Sequence, residues 1–87
     1  MIEMAKKRSD LEISANVLEI AREGAKKSHI VYKANLNFKV VNTYLDHLQK
    51  SGLITYPSDN HTLFKTTVKG LEYLHQYTEL ASTFNGV

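Results

Sequence analysis

The sequence predicts a single α+β domain spanning residues 1–87, mainly helical, with four helices and one β-hairpin. Three observations predict it. Ser9-Asp10-Leu11-Glu12 has the form of a capping box and opens a stretch with apolar residues at helical spacing. Two further helical segments are separated only by Asn35-Leu36-Asn37. Two short β-type runs flank Pro57-Ser58-Asp59-Asn60, between Gly52 and Thr67.

Helix 1 is expected over about Asp10 to Glu23. Ser9 is its N-cap, Glu12 reaches back to it, and Asp10 and Glu12 complement the positive end of the helix dipole. Leu11, Ala15, Leu18 and Ala21 recur along one face, with Ile13 and Val17 beside them, and Gly24 is the expected residue just past the end. Ser28 is expected to cap a short helix 2, Ser28 to Ala34. The β-branched Ile30 and Val31 would also suit a strand, but with Ala34 they place apolar groups on one helical side. Asn35 can take the left-handed conformation that ends this helix.

Asn37 then caps helix 3, about Phe38 to Lys50. Phe38, Val41, Leu45 and Leu48 form its expected inward stripe, and Gly52 terminates it. Helix, three-residue turn, helix is a helix-turn-helix. "LITY" and "HTLFKTT" around the polar turn read as a hairpin. A hairpin directly after a helix-turn-helix is a wing. Thr67 caps helix 4, about Val68 to Thr83. The expected architecture is therefore a winged helix-turn-helix: three helices, a β-hairpin wing and a C-terminal helix.

Composition limits what such a domain can do. Eighty-seven residues close one core, and with no Cys neither a disulfide nor a Cys-based zinc site can staple it. No apolar run approaches the roughly 20 residues that span a bilayer. "MIEMAKKRSDLE" turns charged too early for a signal peptide, so an intracellular, cytoplasmic protein with no membrane partner is expected. The net charge is only +2, but residues 1–50 carry +3 and residues 51–87 carry −1. Basic residues cluster at Lys6-Lys7-Arg8 and Lys26-Lys27.

The four His residues are scattered over different elements, and no HExxH motif, Gly-rich phosphate loop or nucleophile elbow is present. Nothing assembles into an acid–base pair. No enzymatic activity, cofactor or metal is expected.

"YLDHLQKSGLI", followed by a hairpin and "TTVKGLEYL", resembles a winged helix-turn-helix of the ArsR/MarR type. Over about residues 8 to 80 the chain is more similar to small archaeal winged-helix DNA-binding proteins of about ten kilodaltons, some of them chromatin-associated. That likeness rests on "RSDLEI", "GAKKSHIVYKANLNFKVVNTYLDHLQKSGLI" and "TVKGLEYL". It implies a homodimer joined through the C-terminal helix. Such proteins use a long antiparallel coiled coil; helix 4 is short here, so pairing through helix 4 itself is expected.

The residues support DNA contact independently. With its apolar stripe inward, helix 3 presents Lys39, Asn42, Thr43 and Asp46. Lys and Asn make base-edge pairings in the major groove, and Thr reaches base or phosphate. They lie in the first half of the helix, the half that recognition helices present. Asn37, at the same end, joins this set. A solvated helix face could carry the same residues; the helix-turn-helix and wing favour the DNA reading.

Lys26, Lys27 and Ser28 mark the start of helix 2, where backbone N–H groups favour an anion; plain solubility is the alternative. Lys33 can reach phosphate near the turn, whereas Tyr32 can pack on helix 3. At the wing, His61 and Lys65 are candidates, though Asp59 opposes phosphate and leaves wing contact open.

Helix 4 carries two apolar stripes. Val68, Leu71, Leu74 and Ala81 suit the domain's own core. Tyr73, Tyr77, Leu80 and Phe84 suit a homodimer interface, since aromatic residues are enriched there. Two functions follow: a homodimeric protein on double-stranded DNA, as regulator or nucleoid component, or a winged helix used only for protein contacts in a larger assembly.

Overall fold

The computed structural model describes residues 9–56 and 62–85; for residues 84 and 85 it describes the backbone alone. In chain order the elements are α1 (Asp10–Ile20), β1 (Ala25–Lys26), α2 (Lys27–Ala34), α3 (Phe38–Lys50), β2 (Ile54–Thr55), β3 (Leu63–Thr66) and α4 (Val68–Asn85). The three strands form an antiparallel sheet in the order β1-β3-β2. The expected turn at residues 57–60, His61 and the basic run at residues 6–8 lie outside the described residues.

Local chemistry sets most helix ends. Ser9 Oγ accepts from the Glu12 N–H at 3.0 Å, and Asn37 Oδ1 accepts from the Val40 N–H at 2.8 Å. Both helices of the helix-turn-helix end in the same pattern. Asn35 takes φ 58°, with Leu36 N–H donating to Val31 O; Gly52 takes φ 78°, with Leu53 N–H donating to Leu48 O. These are Schellman motifs, each with its apolar pair, and all four of those residues belong to or pack on the core.

Three helix boundaries depart from expectation. α1 ends at Ile20 rather than Glu23, because its last carbonyls are claimed from outside. Thr66 Oγ1 donates to Leu18 O at 2.6 Å, and Thr66 N–H donates to Ala21 O at 3.1 Å. α2 begins at Lys27 with Lys26 as an extended N-cap, so Ser28 lies inside the first turn and is not the cap. The reason is β1: Ala25 pairs with Phe64 and Lys26 with Leu63, which holds the chain extended until Lys26. α4 runs on to Asn85, two residues past Thr83.

The core joins Val17 and Leu18 of α1, Ile30 of α2, Val41 and Leu48 of α3, and Ile54 of β2. Phe38 was expected inside; it is 53% exposed, because the first helical residue sits at the edge of the stripe that Val41, Leu45 and Leu48 bury. Leu11 is likewise exposed, at the open start of α1.

α4 also turns a different face inward from the one expected. Val68 is 78% exposed and Leu71 is exposed; Gly70 and Leu74 are buried, with Tyr73 and Tyr77 half-buried on the same side. The rotation follows from Gly70. A Cβ at this position would stand 2.2 Å from Leu53 O and 2.6 Å from Thr66 Cγ2, so only a bare α-carbon lets α4 approach the chain there. Gly70→Ala should therefore lower stability by about 1–3 kcal/mol, as overpacking does, even though Ala is the better helix former. Thermal denaturation checks this: each kcal/mol corresponds to a fall of roughly 4–8 °C in Tm for a domain of this size. An unchanged or higher Tm would show that the approach is not that close.

Candidate nucleic-acid interface

α3 is positioned from both ends, by the Asn37 cap and the Gly52 turn, and from beneath by Val41, Leu45 and Leu48. What remains outward is a strip of exposed side chains: Lys39, Asn42, Thr43, Asp46 and Lys50. Successive residues advance about 100°, so Lys39 and Asp46 lie along the middle, with Asn42 and Thr43 on opposite edges.

Three of these side chains are partly engaged. Thr43 Oγ1 donates to Lys39 O at 3.2 Å, which orients the hydroxyl along the helix and leaves its lone pairs outward. Lys50 Nζ lies 3.2 Å from Asp46 Oδ2. The pair is well exposed and worth little to stability. It does offset the carboxylate on this strip of α3. Asn37 is also exposed, but its Oδ1 serves the cap, leaving its amide NH2 as the group that can donate outward.

The Asn42 edge of α3 borders a groove shared with Lys27, Asp46, Gln49, Tyr56 and Phe64. The fold thus brings Lys27 and Asn42, fifteen positions apart in sequence, to one surface. Lys26 and Lys65 meet on another. Lys26 pairs with Leu63 and Lys65 with Thr55, on the face opposite buried Phe64 and Thr66, so both lysines stand on the solvent side of the sheet. Ser28 is exposed beside Lys27.

Lys33 is not brought to this surface. It lines a cleft with Glu12, Asn16, Glu19 and Tyr77, between α1 and α4. Tyr32 does not pack on α3, being 81% exposed. Gln49 and Tyr56 were missed. Gln49 is two helical turns beyond Asn42 on the same edge, a spacing that could have shown it. Tyr56 lies against Phe64 with ring centroids 4.3 Å apart and ring planes tilted by 42°, a contact only the sheet reveals.

On α4 the structure divides the aromatic stripe. Tyr73 packs on the domain's own core, and burial raises its phenol pKa above the usual 10, partly countered by a hydrogen bond with Ser14. Tyr77 is half-buried, Leu80 is 57% exposed, and the Phe84 side chain lies outside the described residues.

Among the described residues no cluster of three His, Asp or Glu could hold a metal ion, and no helix is long and apolar enough to cross a membrane.

Comparison with known proteins agrees with this architecture. Residues 7–84 match the family model described as winged helix-turn-helix, and the chain belongs to that family. The chain is 32% identical over 80 residues to the uncharacterised protein MJ0287 of Methanocaldococcus jannaschii, covering 91% of this chain and 79% of that one. Among solved structures it is similar to Sso10a-2, a DNA-binding protein from Sulfolobus solfataricus, with a TM-score of 0.76 and 26% identity over 91% of this chain and 84% of the other. It is also similar to NMB1585, a MarR family regulator from Neisseria meningitidis, with a TM-score of 0.65 and 25% identity over 97% of this chain and 61% of the other. A mutant of MepR from S. aureus shares the fold, with a TM-score of 0.72 and 13% identity over 98% of this chain and 66% of the other. The expected family resemblance and fold class hold.

The grouping of lysines separates two that the sequence treats alike. Lys27→Gln should weaken binding to every duplex similarly and flatten the log–log salt dependence by about one unit per bound chain. Lys33→Gln should leave the slope unchanged. Titration of labelled DNA at several salt concentrations reads both; a slope lost with Lys33 and kept with Lys27 would put the contact surface on the wrong side of α2.

Proposed function

We propose that the protein binds double-stranded DNA as a homodimer, with α3 in the major groove, and acts in the cytoplasm on the nucleoid as a regulator or an architectural component. One observation carries the reading. α3 is fixed at both ends and buried along one side, yet Lys39, Asn42 and Thr43 are turned outward with no packing role. An element held that firmly, with donors and acceptors facing away from the core, suits a rigid recognition surface. Family membership and the likeness to a DNA-binding protein and a MarR family regulator support it. Lys27 beside Asn42, and Lys26 and Lys65 on the sheet, are the proposed phosphate contacts. Asn37 and Ser28 are secondary donors, and Lys33 a peripheral charge.

α4 is the proposed pairing element. Leu80 is an exposed apolar group on it, which water disfavours and a second copy would cover. In this reading Tyr77, Leu80 and Phe84 form the contact, with Tyr73 supporting them from the core. A two-fold axis through α4 would set two recognition helices on one duplex, about 34–36 Å apart, with the gain in affinity that linkage brings.

Fluorescence anisotropy with a mixed-sequence duplex tests the proposal. Three phosphate-contacting lysines per chain, six in the homodimer, predict a log–log salt slope of about −5, from release of condensed counterions. A species twice 9.9 kDa should sediment. No binding even at low salt would instead favour a winged helix used for protein contacts alone.

A further inference from the structure

Phe38 has no structural task that explains its exposure. It is the first residue of α3, directly after the Asn37 cap, and 53% exposed. The apolar contacts that fix this end of the helix are made without it. Leu36, before the cap, packs on the core, and Val41, in the first turn, is fully buried within it. Those two occupy the positions of a hydrophobic staple. The first turn of α3 carries no acidic residue, although an acid there would favour the helix dipole. An acid would also repel a phosphate; a phenyl ring does not. Asn42 stands one turn further on the same edge, four residues away. An apolar side chain at the leading end of a recognition helix has one feature to read among base edges in the major groove, the C5-methyl group of thymine.

We infer that Phe38 packs on a thymine methyl group, beside the base pair that Asn42 addresses, and gives the protein a preference for thymine-bearing sites. This rests on the proposed docking of α3 and adds a base preference to it. The probe is a pair of alternating A·T duplexes of equal length, identical except that one carries deoxyuridine in place of every thymidine. Charge and Watson–Crick pairing are the same in both; the methyl groups are absent from one. The wild-type protein should bind the thymine duplex about fourfold more tightly per contacted methyl, the equivalent of burying one such group. Phe38→Ala should bind both duplexes equally, keep the wild-type salt slope and keep its helical circular dichroism. Because Phe38 lies outside the core, this variant should fold.

Equal wild-type affinity for the two duplexes, with normal salt dependence, would overturn the methyl contact and leave DNA binding standing. A preference that survives in Phe38→Ala would overturn it too, assigning the discrimination to groove shape or another residue. Failure of the wild type to bind either duplex at low salt would overturn the docking itself and this inference with it.

Discussion

Two adjacent threonines tie the ends of three helices together. Thr66 donates its hydroxyl to Leu18 O, which the end of α1 leaves open, and its N–H to Ala21 O, which also accepts from the Gly24 N–H. Thr67 donates its hydroxyl to Gly52 O at 2.7 Å and its N–H to Leu53 O at 3.0 Å, which holds the turn after α3. The same Thr67 hydroxyl accepts from the Gly70 N–H and so caps α4. Lys69 adds a bond from Nζ to Ser51 O. Buried carbonyls without partners are costly, so these bonds specify geometry more than they add stability. They fix α3 against α1, the sheet and α4 at once. A recognition surface needs that rigidity, because its side chains must arrive together at positions set by the duplex.

The parts of this arrangement that depend on neighbours in sequence were legible. Ser9, Asn35, Asn37, Gly52 and, as the cap of α4, Thr67 each act within a few residues of themselves, and each occupies the place its chemistry suggests. The parts that depend on distant partners were not. β1 is two residues long and exists because Ala25 and Lys26 meet Phe64 and Leu63. That strand, in turn, moves the start of α2 and displaces Ser28 from its cap. The end of α1 is likewise decided by Thr66, 48 positions from Leu18.

The face of α4 is the plainest case. Its sequence offers two apolar stripes, and periodicity cannot choose between them. The choice lies with Gly70, which the stripes ignore because glycine has no hydrophobicity to contribute. Its missing side chain admits the Leu53 carbonyl, and the helix then buries Leu74 and leans Tyr73 and Tyr77 inward. Of the candidate surface, the outward strip of α3 was readable from the helix period alone. The grouping of Lys27 with Asn42, and the separation of Lys33 from both, required the packing of α2 against its neighbours. Phe38 was assigned to the core by the same period, since an edge position and an inward one differ by only a fraction of a turn.

The proposed docking divides the molecule into a contact side and a supporting side. The contact side comprises the strip of α3 from Lys39 to Lys50, the start of α2 and the solvent face of the sheet. The supporting side comprises α1 and α4. At 9.9 kDa per chain the protein suits backbone amide mapping by nuclear magnetic resonance. The central claim is that duplex DNA meets the first side. Titration with a short duplex should shift the amides of Lys27, Lys39, Asn42, Thr43 and Lys65 most strongly, and leave those of Glu12, Asn16 and Glu19 in place. The largest shifts falling on α1 and the Lys33 cleft, with α3 unmoved, would contradict it.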